Sequence, residues 1–277
     1  MRLRFVQCVL ALSLLALAGG SALAQNVPYR ERPNPYDRGG RADQDGGHKA
    51  GEFDYYVLAL SWSPTYCASR RDDRYDPQCD GSSGRPYAFV LHGLWPQYER
   101  GWPQHCRTAD RGWVPGPVAE RMLDIMPSKK LIFNEYRKHG TCSGLGVDGY
   151  FDLSRRLYES VKIPPRFVRL TDERLFVAPG ELVRDFMAVN PQLKPDMISV
   201  QCGGPGNRLR EVRICFEKGG ALRACGRNED QRKLCPADRM YVPPVRAGGA
   251  TQDRPRGERP PGPSREILPG PRDERRL

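Results

Sequence analysis

Two apolar runs stand out in the first half of the chain. Residues 53–62 (FDYYVLALSW) and 88–91 (AFVL) are rich in aromatic and β-branched side chains with almost no polar interruption, which predicts buried strands, each ending in turn residues. Residues 117–126 and 131–139 suit helices, and 150–161 and 180–189 carry apolar residues at helical spacing. Strand character returns over 197–202 and 209–216. With Gly219 and Gly220 as a turn, the second of these and residues 221–225 predict a hairpin. Strands and helices are segregated rather than regularly alternating, so the expected fold is α+β, with a mainly antiparallel central sheet packed with helices.

Outside this patterned stretch the periodicity disappears. Residues 1–24 run from MRLR through an apolar run over 5–17 to Ala22-Leu23-Ala24, the basic, greasy and small-residue order of a secretory leader. That run is too short for a transmembrane helix, which needs about 20 apolar residues, and no second one follows. Residues 25–51 are rich in Pro, Gly and mixed charge, with too little apolar surface for a core, and predict a flexible lead-in. Residues 243–277 predict a disordered tail rich in Pro and Arg, leaving 52–242 as one globular domain.

Composition adds two constraints. The formal charge of +11 drops by the two charges of Arg2 and Arg4 if the leader is removed, and the remainder still favours a polyanionic partner without identifying one. Of nine cysteines, Cys8 belongs to the leader, and the other eight form an even set in an exported chain, which predicts disulfides. No CxxC pair and no His-x-x-x-His is present, so zinc-ligand spacing is missing.

The chemistry concentrates on histidine, the side chain best suited to proton transfer near neutrality. Only four are present: His48, His92, His105 and His139. His48 lies in the lead-in, and His105 abuts Cys106 in a predicted loop, so both are expected to be idle or structural. His92 follows the apolar run 89–91 directly and is expected at a strand end, where a rigid element presents a functional group to solvent. His139 is expected to close a helix, with Gly140 as its left-handed stop and Cys142 clamping the end. Glu135 lies four residues before His139 and three before Lys138, so acid, base and cation share one helix face. Each segment alone also reads as ordinary structure, a core histidine or a helix terminus with cations on its dipole.

Together, Phe89 to Pro96 (FVLHGLWP) and Lys138 to Cys142 (KHGTC) resemble the ribonuclease T2 family of secreted acid-type endoribonucleases, in its bacterial form. Met126-Pro127-Ser128 and the run from Glu211 to Cys215 (EVRIC) also look like family landmarks, so the resemblance spans the domain but not its two ends. It implies a metal-independent, cofactor-free endoribonuclease acting on single-stranded RNA, with little base specificity. His139 would serve as base and His92 as acid, Lys138 and Glu135 would stabilise the phosphorane, and a 2′,3′-cyclic phosphate would form first and then open to a 3′-phosphate. From the residues alone, which histidine is the acid stays open. The resemblance also implies the disulfides Cys67–Cys79, Cys106–Cys142, Cys202–Cys235 and Cys215–Cys225, a pairing that spacing could not choose.

One position departs from the family. Its second block usually begins His-Glu-Trp, whereas this chain has Asn134-Glu135-Tyr136, so a histidine that helps bind phosphate or the downstream nucleotide is replaced by an uncharged amide. Asn134 and Trp95 are the expected substrate contacts, Trp95 as a platform for base stacking; Tyr98, Trp102, His105 and Tyr136 are lesser candidates. Two rivals remain: an inactive family member that only binds RNA or another polyanion, and a cysteine hydrolase built on Cys142 and His139. A monomer in the periplasm or the medium is expected. The lack of an Asn-x-Ser/Thr acceptor favours bacterial export.

Overall fold

The computed structural model describes residues 47–70, 76–168, 170–171 and 175–245. The expected leader, most of the lead-in and the tail beyond 245 lie outside the described residues. In chain order the elements are β1 (Tyr55–Trp62), α1 (Ser63–Ser69), β2 (Phe89–Gln97), α2 (Gly116–Glu120), α3 (Lys129–Lys138), α4 (Gly146–Ser160), α5 (Pro165–Val168), β3 (Phe176–Val177), α6 (Pro179–Val189), β4 (Ile198–Gly203), β5 (Arg208–Phe216), α7 (Gln231–Leu234) and β6 (Met240–Tyr241). The strands form one sheet in the order β2-β1-β5-β6-β3, with β4 also paired to β5. Only the contact between β5 and β6 is parallel, so the α+β architecture with a mainly antiparallel sheet stands.

β1 reads as nearly continuous apolar sequence because both of its faces are covered. One face carries Tyr56, Leu58, Leu60 and Trp62, which join Leu91 and Leu94 of β2 and Val212 and Ile214 of β5 in the main core. The helices close over that face with Ile132 and Tyr136 of α3, Tyr150 and Phe151 of α4, and Leu182 and Phe186 of α6. On the other face, Tyr55, Val57 and Cys215 form a smaller cluster that includes Trp95 and Cys225. Strand alternation therefore places Gly93, Trp95, Glu211 and Arg213 opposite the main core.

β2 borders the sheet, and its outward polar groups find partners outside the ladder. The Leu91 N–H donates to the Ile125 carbonyl, and the Tyr150 hydroxyl donates to the Leu94 carbonyl at 2.9 Å. These contacts cap the edge against further pairing and bring the helical layer alongside β2.

Several expectations change. β2 does not stop at His92 but continues to Gln97, and its register against β1 slips by one residue: Ala59 faces Gly93, whereas Leu60 faces Leu91. His92 is the inserted residue of a β-bulge, which re-aims a side chain within a strand rather than at its end. The helix expected over 117–126 is cut to α2 plus hydrogen-bonded turns, because the chain must turn to offer the Ile125 carbonyl to Leu91. Gly140 is not the left-handed stop. It lies in a 3₁₀ turn, Gly140–Ser143, and Gly144 takes the left-handed conformation with φ 75°. Gly140 is instead required for close approach, since a Cβ there would stand 2.3 Å from the Tyr136 ring. The expected hairpin shrinks to one bridge, Phe216 with Leu222, because β5 spends its length pairing with β1 and β4.

The packed body also exceeds 52–242 at both ends. The Gly51 N–H donates to the Cys142 carbonyl, His48 meets the Tyr98 hydroxyl at 3.2 Å, and the Pro243 carbonyl accepts from the Trp62 indole at 3.0 Å. The four disulfides are Cys67–Cys79, Cys106–Cys142, Cys202–Cys235 and Cys215–Cys225, the pairing that the resemblance implied. Cys106–Cys142 spans 36 residues and ties the loop after β2 to the end of α3.

Closing a loop of that length restricts the unfolded chain, so replacing Cys106 and Cys142 together with Ala should cost about 4 kcal/mol. Denaturant unfolding of the variant and its parent measures this, and a loss below about 1 kcal/mol would show that the bridge does not constrain the unfolded chain.

Candidate active site

On α3, the buried positions Ile132, Glu135 and Tyr136 and the buried C-cap His139 recur at helical spacing, so Glu135 and His139 occupy an otherwise apolar stripe. Ser128 starts the helix by accepting the Leu131 N–H, and His139 ends it by donating its backbone N–H to the Glu135 carbonyl. The stripe lies beside β2 where Gly93 has no side chain. A Cβ at Gly93 would stand 2.1 Å from Glu135 Oε2 and 2.6 Å from Trp95 Nε1. That space lets the Trp95 indole donate to Glu135 Oε2 at 2.7 Å.

His92 and His139 both meet the Trp95 ring. His92 approaches it edge-on with 5.2 Å between centroids, and His139 lies 5.3 Å away at a 31° tilt. The Arg213 guanidinium lies over the same indole at 5.0 Å. His92 is held between two carboxylates, with Nδ1 2.6 Å from Glu211 Oε1 and Nε2 3.5 Å from Glu135 Oε1. The other Glu211 oxygen accepts from Arg213 Nε at 3.1 Å and from Nη2 at 2.9 Å.

These surroundings drive the two imidazoles in opposite directions. Burial works against a charged His92, but Glu135 and the hydrogen bond to Glu211 outweigh it and raise its pKa to about 9. Burial depresses His139 well below the ordinary histidine value, and the adjacent Lys138 and nearby His92 push the same way. The His139 Nδ1 is buried without a hydrogen-bond partner among the described residues. The two carboxylates diverge as well. Burial raises Glu135 against the opposing pull of His92, the Trp95 N–H and Lys138, whereas at Glu211 Arg213 and His92 overcome burial and hold the carboxyl down at about 2.

Of the residues singled out in the sequence, His92, Trp95, Glu135 and His139 converge, and Lys138 joins them from the last turn of α3. Asn134 does not join the contacts of this group. Its carbonyl oxygen accepts from Arg137 Nη2 at 2.7 Å on the outer part of the helix. Tyr136 is in the core with its hydroxyl on Asp110, and Tyr98 pairs with His48. His105 is exposed in a left-handed conformation with φ 53°, and its backbone N–H donates to the Lys138 carbonyl. Cys142 is consumed by its disulfide, which removes the thiol hydrolase reading.

Glu211 and Arg213, within the run from Glu211 to Cys215, join the cluster although the sequence motifs did not single them out. The signal was their i, i+2 spacing within an otherwise apolar strand, which puts two opposite charges on one face of a buried sheet.

A sequence model described as the Ribonuclease T2 family matches residues 53–225. The chain is similar to a ribonuclease of Aeromonas hydrophila, 36% identical over 202 residues that cover 68% of this chain and 83% of that protein. It is also similar to a probable ribonuclease of Haemophilus influenzae, 30% identical over 200 residues covering 69% and 67% respectively. Among solved structures, an RNase-related protein from Calystegia sepium aligns with a TM-score of 0.54 at 21% identity, over 72% of this chain and 100% of that one. Trichomaglin, described as an S-like ribonuclease, aligns with a TM-score of 0.53 at 22% identity, over 70% and 100%. These two structural likenesses establish the fold.

Two titrations follow from the site. In the resting protein, the imidazole NMR signals of His92 should report a charged ring until the pH passes about 9, and those of His139 a neutral ring well below pH 6.5. The sign for stability is opposite at the two rings. The contribution of His92 is complete below its unfolded value of about 6.5 and is lost as pH rises through about 9, whereas buried neutral His139 favours unfolding as pH falls below that same value. Titration of both rings near pH 6.5 would contradict this electrostatic layout.

Proposed function

The chain belongs to the ribonuclease T2 family and is an endoribonuclease, and from that premise we propose that it cleaves single-stranded RNA by proton transfer between His139 and His92. The observation that carries this reading is a pair of imidazoles around one indole with opposite proton affinities. Neutral His139 takes the proton of the ribose 2′-hydroxyl, the internal nucleophile that DNA lacks. The 2′-oxygen attacks phosphorus, and protonated His92 gives its proton to the departing 5′-oxygen. The first product is a 2′,3′-cyclic phosphate. Water then opens it to a 3′-phosphate as the histidines exchange roles.

Negative charge on the phosphorane oxygens is met by Lys138, next to His139, and by Glu135, whose raised proton affinity lets it donate a hydrogen bond. Trp95 keeps a partly exposed ring for a base to stack on, with Arg213 over it. Asn134 contributes through hydrogen bonding where most of the family has a histidine. The chemistry asks nothing of a metal ion, because the imidazoles move the protons and Lys138 supplies the cation.

Four disulfides and bacterial ribonuclease relatives fit an exported protein. We place its action in the periplasm or the medium, as a monomer on RNA with little base preference. No helix among the described residues is long and apolar enough to cross a membrane.

The test is incubation with RNA in EDTA followed by end-group analysis. Cyclic-phosphate ends that mature to 3′-phosphates are expected, and a 2′-deoxy substrate should survive; EDTA-sensitive cleavage, or equal cleavage of DNA, would sink the mechanism. His92→Ala and His139→Ala should each lose about 10²–10⁴-fold in rate with the fold intact. Near-parental cleavage by either, in protein free of contaminating ribonuclease, rejects the two-histidine scheme, and RNA binding without cleavage by the parent would leave a binding-only protein. Asn134→His should lower KM with little change in kcat if the amide's deficit lies in phosphate binding.

A further inference from the structure

We propose that Glu211, clamped by Arg213, is a positioning residue that fixes the His92 ring through Nδ1 and holds it in the charged form that its role as acid requires. The inference rests on the two-histidine reading above and concerns how the acid is kept ready.

The first observation is the distance the contact bridges. His92 is on β2 and Glu211 on β5, and β1 runs between them. Two strand spacings separate the backbones, about 9–10 Å, so side chains seldom meet across such a gap. Here both flanking strands are irregular near the contact, β2 against β1 and β5 against β4. β2 carries the inserted His92 beside the pairs of Ala59 and Leu60, and β5 slips against β4 between Glu211 and Leu209, with Arg210 as the extra residue. Beneath the contact, β1 presents only Ala59 and Ser61, which face Arg213 and Glu211 across the ladder. The bulge that re-aims His92 and the two small residues of β1 clear the path for Nδ1 and Oε1 to reach 2.6 Å.

The second observation is that Glu211 cannot swing away. Its Oε2 takes both Arg213 Nε and Nη2, while Nη2 also donates to Gln201 Oε1 at 3.2 Å and the guanidinium rests on Trp95. Arg213 therefore gives Glu211 a permanent counter-ion in a setting where a second buried carboxylate, Glu135, also faces His92. The division of labour follows. Glu211 stays ionised behind the ring, and Glu135 remains the carboxyl able to carry a proton toward the substrate.

The third observation concerns the ring nitrogens. With Nδ1–H donated to Glu211, Nε2 is the nitrogen available to a ligand, on the side where Glu135 lies 3.5 Å away. When His92 releases its Nε2 proton to the 5′-oxygen, the Nδ1–H bond remains and selects the tautomer with Nε2 bare. That is the form that must accept a proton from water in the second step, so one contact serves both halves of the reaction.

The groups around His92 are Glu135 from α3, His139 at its C-cap, Glu211 and Arg213 from β5, and Trp95 from its own strand, with Lys138 acting on Glu135 and His139 and His105 near His139. Glu211→Gln keeps an acceptor for Nδ1–H but removes the charge, and it separates positioning from mere packing. The His92 NMR titration and the basic limb of the kcat/KM profile should fall together by about 1–2 pH units, with KM unchanged. Glu211→Ala should lower kcat by a further factor of about 10–100 as the ring loses its orientation. If Glu211→Gln fails to fold because Arg213 is left unpaired, the uncharged pair Glu211→Gln with Arg213→Gln should still lower the His92 titration, by a smaller amount, because the Arg213 charge that opposes protonation of His92 is removed with it. A folded Glu211→Gln protein, or that pair, with the His92 titration and the basic limb at parental positions overturns the inference. Failure of the two-histidine reading is seen separately, as parental cleavage by His92→Ala, while the His92 titration still reads the Glu211 contact without any activity.

Discussion

A charged imidazolium beside two carboxylates and a guanidinium is the arrangement on which the site depends. Taking a charge out of water costs several kcal/mol after relaxation, and only excellent geometry offsets it. The cluster of His92, Glu135, Glu211 and Arg213 meets that condition with ionisable groups 2.6–3.5 Å apart, the Trp95 indole donating to Glu135 and Arg213 donating to Gln201 Oε1. His139, close by, has an Nδ1 buried without a hydrogen-bond partner among the described residues, and burial favours its neutral form. Two residues of one chemical type are thus pushed in opposite directions, His92 up by Glu135 and Glu211 and His139 down by burial and Lys138.

The rest of the fold supplies that geometry. The main core lies on one face of the sheet, so Gly93, Trp95, Glu211 and Arg213 fall on the other. A bulge turns His92 out of the strand pattern, and Gly93 makes room for the Glu135 carboxyl. The turns before α3 and helix α4 are tied to the outer edge of β2 by the Leu91–Ile125 backbone and Tyr150 hydroxyl hydrogen bonds, and the Cys106–Cys142 bridge fixes the turn after His139. Gly140 adds a steric constraint, since it admits the Tyr136 and Tyr150 rings directly under that turn. Apolar packing, edge satisfaction and covalent linkage all act to hold four ionisable side chains in register.

Much of this was legible in the chain. Apolar runs marked the strands β1, β2, β4 and β5 and the helices α3, α4 and α6, because burial on a sheet or a helical stripe leaves its period in the residues themselves. His92, Glu135, Lys138 and His139 were legible for a related reason. Glu135, Lys138 and His139 share a helix face by spacing alone, and the two short motifs singled out His92 and His139 as the candidates. The cysteine count was visible too, although only the resemblance chose the pairing that the fold displays.

What the residues could not reveal depends on distance in space between parts far apart in the chain. Nothing local to His92 announces a bulge, because the slip is defined only against β1. Nothing local to Glu211 shows that its carboxylate crosses β1 to reach a histidine 119 residues earlier. The residues alone offered two histidines able to act as acid or base, since an imidazole in water titrates at one value wherever it stands. The proton affinities diverge only when folding removes solvent and sets Glu135 and Glu211 beside one ring and Lys138 beside the other. The sequence by itself determined which side chains were present and which faces they would share; the tertiary structure alone decided their charges, because an electrostatic interaction depends on separation and burial, and those are properties of the packed chain.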